Sequence, residues 1–188
     1  MTKVNTYQDI QGWFDFENIY EFAVKNFNNC NFLEIGAWAG KSTAYMGELI
    51  RSQNKNIKFY TVDTFLGEPT CQFHLDKVEQ LGGTVFNEFW RNMSDLGLCN
   101  YVHPIISTSH NCIEKIRDKE FAFIFIDGAH DYDSVMKDLN YTYDYVSQNG
   151  LIGGHDYNSE CKLAVDTFFA AKGKKVNQYG ASWLIQKS

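Results

Sequence analysis

The sequence predicts an α/β protein built on a doubly wound, mostly parallel sheet. Three observations carry that expectation. Strand-like runs alternate with helical patterns from about residue 30 onward. The runs are apolar along most of their length, as in strands covered on both faces. Polar residues also recur at the carboxyl ends of the runs: Glu34, Asp63, Ser107–Ser109, Asp127 and His155-Asp156. In open parallel sheets ligands bind at that edge, near the point where strand order reverses.

The elements follow in order. Trp13, Phe16, Tyr20, Ala23, Val24 and Phe27 recur mostly at spacings of three and four, so residues 1–29 read as an N-terminal helical segment. Asn31–Ala37 is the first strand, ending in an acid and a glycine-bearing turn that opens a helix. Ile57–Asp63 is the second, and Asp63 stands where an acid gripping a ribose belongs. Residues 64–83 hold Gly67, Pro69, Cys71, His74, Gly82 and Gly83 and show weak helical periodicity. A long insertion beside a ligand edge reads as a lid or substrate loop, with a surface loop of no role as the alternative. Tyr101–Ser107 and Phe121–Asp127 are the third and fourth strands. Asp131–Val146 is a helix with Val135, Leu139, Tyr143 and Val146 on one stripe. Leu151–Asp156 is the fifth strand, and a helix over Ser159–Ala171 follows. Lys175–Tyr179 and Ser182–Gln186 flank a tight turn at Gly180-Ala181, which makes seven strands with an antiparallel hairpin strand at one edge.

Composition narrows the function. The 188 residues read as one domain, 1–188, with a 44% hydrophobic content suited to a sizeable core. A net charge of −6 and the lack of a long Lys/Arg run argue against nucleic acid as a partner. No apolar run approaches the ~20 residues of a membrane span. The five cysteines, Cys30, Cys71, Cys99, Cys112 and Cys161, form no CxxC pair and read as reduced thiols. With a polar Met1–Asp9 opening, this predicts a cytoplasmic protein. The amphipathic N-terminal helix offers a surface for homo-oligomer formation.

Gly36 and Gly40 flank Ala-Trp-Ala, which is not the GxGxxG of a dinucleotide site. Ile35 stands where a phosphate-binding loop needs its first glycine. The run Glu34-Ile-Gly-x-x-x-Gly-Lys-Ser-Thr43 instead resembles motif I of class I S-adenosylmethionine-dependent methyltransferases. The subfamily it resembles is a small, "methyltransferase domain 24"-like one related to the metal-dependent O-methyltransferases. Asp127-Gly-Ala-His-Asp-Tyr132, His155-Asp-Tyr157 and the aromatic Gly12-Trp-Phe-Asp-Phe16 segment extend the likeness over nearly the whole chain.

The resemblance implies a single Rossmann-like domain, S-adenosylmethionine as cofactor, and methyl transfer to a hydroxyl of a small molecule or sugar. It implies that Gly36 and Gly40 let backbone approach the cofactor and that the N–H groups near Ser42 bind its carboxylate. Glu34 would face the cofactor's amino end, Asp63 both ribose hydroxyls, and Thr108 or Ser109 the adenine. Trp38 either covers the cofactor or packs under the helix. Asp127, His155 and Asp156 match the metal-ligand positions of the related enzymes, with Mg²⁺ or Mn²⁺ expected. The histidine departs from their carboxylate pattern, and imidazole suits Fe²⁺ or Zn²⁺ better than Mg²⁺. The alternative for His155-Asp156 is a helix cap with no metal. His130 takes the place of the general base. His74 and His110 are weaker candidates, and His103 is structural. Two rival readings stay open: a metal-dependent hydroxylase on the same fold, and a cofactor-binding module without chemistry.

Overall fold

The computed structural model describes residues 3–188, so Met1 and Thr2 of the expected 1–29 segment lie outside the described residues. After a 3-10 turn at Tyr7–Asp9 the elements run α1 (Glu17–Asn26), β1 (Cys30–Ile35), α2 (Lys41–Ser52), β2 (Ile57–Asp63), α3 (Gln72–Gln80), α4 (Phe86–Asp95), β3 (Val102–Ile106), α5 (Ile113–Ile116), β4 (Phe121–Ile126), α6 (Tyr132–Thr142), β5 (Val146–Gly154), α7 (Ser159–Ala170), β6 (Asn177–Tyr179) and β7 (Ser182–Gln186). The strands form one seven-stranded sheet in the order β3-β2-β1-β4-β5-β7-β6. β1 to β5 pair in parallel; β7 pairs antiparallel with both β5 and β6. The expected architecture is therefore present, and the order reverses between β1 and β4.

Alternation along the strands divides the core. Phe32, Phe59, Phe123 and Phe125 point to one face and pack with Tyr20 and Val24 of α1, Met46 of α2 and Phe89 of α4. Leu33, Val62, Ile124 and Ile152 point to the other, under Val135 and Leu139 of α6 and Val165 and Phe169 of α7. All six residues of β4 are buried, as a central strand with two covered faces requires.

Three expectations need correction. The N-terminal helix starts only at Glu17, and Trp13 lies before it, 68% exposed. Spacing suggested helix because aromatic residues recur at the right intervals; Phe16 is buried, but at the cap position, against Phe125 and His155 at ring separations of 4.5 and 5.1 Å. Residues 64–83 are not loop throughout, since α3 occupies 72–80. None of its residues is buried, which is why its apolar period is faint in the sequence. The fifth strand begins at Val146, five residues before the expected start, and takes in the polar stretch Ser147–Gly150.

Candidate active site

The loop between β1 and α2 is built around two carboxylates. Asp63, at the end of β2, accepts the Ala37 and Trp38 backbone N–H groups on Oδ2 at 2.7 and 2.8 Å, and that of Phe65 on Oδ1 at 2.6 Å. Of roughly four acceptor positions on a carboxylate, one on Oδ1 stays open. Beneath the loop, Glu34 is 1% exposed and receives four hydroxyls: Tyr20 (2.8 Å) and Ser42 (2.7 Å) on Oε1, Thr43 and Thr61 (2.9 Å) on Oε2. Burial raises its pKa to about 6 against the pull of those donors. These four donors tie the acid to α1, α2 and β2.

Gly36 adopts a φ of 91°, and an added Cβ would stand 2.6 Å from the Asp127 carbonyl carbon. The close approach that this glycine permits is thus between the ends of β1 and β4. Gly40, at φ 92°, caps α2; a Cβ there would meet Phe89 and Met93 at 2.8 Å. The first bond within α2 runs from the Ala44 N–H to the Gly40 carbonyl at 2.8 Å, which leaves the N–H groups of Lys41–Thr43 at the helix start. Trp38 is half-buried against the core. Its ring lies 4.1 Å from that of His74 on α3, its indole N–H donates to Gln11 at 2.6 Å, and its backbone has a φ of 47°.

The second half of the site lies at the ends of β4 and β5. His130 Nε2 is 3.0 Å from Asp156 Oδ2 and 4.0 Å from Asp127 Oδ1. His155 Nδ1 is 3.3 Å and 3.7 Å from the same two oxygens. Ligand atoms of Asp127, His130 and Asp156 all lie within 4.8 Å of one another, close enough for one cation. The expected trio contained His155 in place of His130; the structure gathers both imidazoles around the same carboxylate oxygens. Hydrogen bonding toward Asp127 and Asp156 raises His130 to about 10, and Asp156 is the nearer partner. Burial opposes charge on His155, but its bond to Asp156 and the surrounding carboxylates outweigh this and raise it to about 9. The two imidazoles in turn hold Asp156 well below the usual carboxylate range. The carboxylates that both histidines face thus favour the charged form of each imidazole.

His155 and Asp156 do not cap α7. Its cap residue is Asn158, which makes no side-chain capping bond, and Asp156 holds a left-handed φ of 49° while its carboxylate faces the histidines. Such backbone is costly for a non-glycine residue and is concentrated at functional sites. Asp131 caps α6 by accepting the Ser134 N–H at 2.9 Å.

Among the adenine candidates, Ser109 donates its hydroxyl to Asp138, an acid 5% exposed on α6 whose burial raises it to about 6. Thr108 stays exposed beside His110. His103 lies on the exposed side of β3 against Tyr60. Sequence reasoning missed Asp15, Glu68 and Asp138. Asp138 was legible as an acid on the apolar stripe of α6; the other two meet the histidines only through contacts distant in sequence.

Residues 33–157 match the family described as "Methyltransferase domain". "Uncharacterized protein R132" of Acanthamoeba polyphaga mimivirus is 29% identical over 134 residues, 69% of this chain and 52% of that protein, so the chain spans about half the length of this curated relative. Among solved structures, a putative caffeoyl-CoA O-methyltransferase from Staphylococcus aureus superposes with a TM-score of 0.68 at 16% identity, covering 96% of this chain and 87% of that one. The O-methyltransferase NovP gives 0.64 at 18%, covering 92% and 79%. A putative rRNA-methylase from Clostridium thermocellum gives 0.61 at 16%, covering 95% and 100%. At these identities the structures share the fold with this chain. No described helix is long and apolar enough to cross a membrane.

Proposed function

Because the chain belongs to the methyltransferase domain family, we propose that it moves a methyl group from S-adenosylmethionine to a hydroxyl of a small molecule or sugar, with a divalent cation assisting. One observation carries the reading. The glycine loop and the Asp127–His130–His155–Asp156 cluster share a wall, because Gly36 rests against the Asp127 carbonyl. A cofactor held by the loop would lie beside the cluster.

The residues fit both groups. The start of α2 suits a carboxylate, and Asp63 retains an open acceptor position beside the loop. Two carboxylates and two imidazoles around one point suit Mn²⁺ or a borderline metal better than Mg²⁺, which prefers oxygen alone. When bound, S-adenosylmethionine supplies an electrophilic sulfonium methyl group. A divalent cation held by Asp127, His155 and Asp156 would lower the hydroxyl's pKa and supply the positive charge that those carboxylates now draw from the imidazoles. His130, released from that duty, takes the hydroxyl proton at Nε2. Trp38, His74 and the segment carrying Glu68 cover the edge and exclude water.

Calorimetric titration with S-adenosylmethionine and with NAD, with EDTA and then with Mg²⁺ or Mn²⁺, tests the reading. Binding of the sulfonium cofactor alone supports it; no binding under any condition removes it. A metal-dependent hydroxylase is the second reading, favoured by the mixed nitrogen and oxygen donors. Product mass separates them, since methylation adds CH₂ and hydroxylation adds O.

A further inference from the structure

Each histidine of the cluster has a further carboxylate at its outer nitrogen, carried by a segment outside the sheet. His155 presents Nδ1 to Asp127 and Asp156, and its other nitrogen, Nε2, lies 2.8 Å from Asp15 Oδ1. His130 presents Nε2 to the same pair, and its other nitrogen, Nδ1, lies 3.4 Å from Glu68 Oε2. The two imidazoles are thus related in opposite tautomeric senses, with each inner nitrogen toward one point and each outer nitrogen toward an acid.

We propose that Asp15 and Glu68 are positioning residues: each accepts the outer N–H of one imidazole, so that His155 Nδ1 offers its lone pair to a cation and His130 Nε2 offers its lone pair to an acceptor hydroxyl. The inference rests on the reading under Proposed function and deepens it. An imidazole ligand whose far N–H is tied to a carboxylate is fixed in tautomer and orientation and made more basic. The same tie fixes a histidine acting as a base. Both acids are carried by segments that the rest of the site also holds in place. Asp15 sits between Gln11, which binds the Trp38 indole, and Phe16, whose ring packs on that of His155. Glu68 is fixed through its backbone N–H, which donates to His74 Nδ1 at 3.1 Å beneath Trp38. The N-terminal segment therefore completes the cation ligand, and the β2–α3 segment completes the base.

The two roles separate experimentally. The full chain is freed of metal and titrated with Mn²⁺ and Zn²⁺ by calorimetry, and S-adenosylmethionine affinity is measured alongside. Asp15 is exposed, so Asp15→Ala, which removes the acceptor oxygen, is expected to fold as the parent does. It is expected to weaken the cation about 10- to 100-fold and to leave cofactor affinity within about twofold. Glu68→Ala is expected to leave cation affinity within about threefold. In the zinc-loaded protein, ¹⁵N shifts of the imidazoles are expected to place the His130 proton on Nδ1 in the parent and to show it divided between the Nδ1–H and Nε2–H tautomers in Glu68→Ala, with Glu68→Gln restoring the parent pattern. Equal cation affinity in Asp15→Ala and the parent, or a His130 proton on Nε2 in the parent, overturns the inference while cofactor binding keeps the methyltransferase reading. A parent that binds cofactor but neither cation also overturns it. A parent that binds no cofactor defeats the methyltransferase reading instead.

Discussion

Gly36→Ala probes the contact that joins the two halves of the site. The new methyl would stand 2.6 Å from the Asp127 carbonyl carbon and 3.0 Å from Gly128 Cα, where ordinary contact begins at 3.4 Å. Both neighbours are backbone of a strand end held by the Asp127 N–H bond to Ile35 at 2.7 Å, so no side chain can swing aside. The ends of β1 and β4 must part by roughly 1 Å. A φ of 91° adds strain of about 1–2 kcal/mol for a residue with a Cβ, and overpacking adds about 1–3 kcal/mol. A total near 3 kcal/mol lowers Tm by about 6–12 °C for a chain of this size. Gly82→Ala is the control, because Gly82 has φ 79° but nothing within 4 Å of an added Cβ. It is expected to lose only the conformational part. Thermal melts by circular dichroism read stability, and calorimetry reads S-adenosylmethionine affinity, which Gly36→Ala should reduce at least tenfold. A Gly36→Ala protein that melts with the Gly82→Ala control and binds cofactor normally would refute the reasoning.

Three further outcomes are expected. Asp63→Ala removes the acceptor of three loop N–H groups and abolishes cofactor binding, whereas Asp156→Ala spares binding and stops turnover; normal activity in the latter, read by product mass, defeats the cation mechanism. Tyr20→Phe removes one donor from the buried Glu34; about 2 kcal/mol is lost and Tm falls by about 4–8 °C, which melts will show. Asp138 is raised by burial from 3.8 to about 6, so its folded form keeps a proton that the unfolded chain has already released. That favours folding below about pH 4 and is lost as pH rises to about 6, by up to roughly 3 kcal/mol. Asp138→Asn should therefore gain stability relative to the parent across that window; parallel denaturant curves from pH 4 to 7 would exclude it.

The sheet was legible because periodicity and the polar residues at strand ends are local signals. β2 matched residue for residue, and the alternation of strands with helices implied the mostly parallel sheet. α3 was obscured because it buries nothing, and Trp13 misled because aromatic spacing does not distinguish a helix from an extended segment that packs by chance on the same intervals. At the site, the motifs named Asp127, His130, His155 and Asp156, which the structure does bring together. The number of internal donors around Glu34 and Asp63 was not legible, since Tyr20 and Thr61 reach Glu34, and Ala37 and Trp38 reach Asp63, only after long-range pairing. Asp15 and Glu68 were hidden for the same reason: they lie 140 and 62 residues from the histidines they hold.

The Glu34 knot also bears on how the chain acquires its structure. Its four donors come from α1, α2 and β2, over positions 20 to 61, and the acid itself from β1. A half-assembled version strands a charge in an apolar core, so these four elements gain little until all are present. They should open and close as one unit, with backbone amides of α1 showing the same exchange protection as those of β1. The hairpin of β6 and β7 has no such tie, and its edge strand, exposed at every residue, should exchange first.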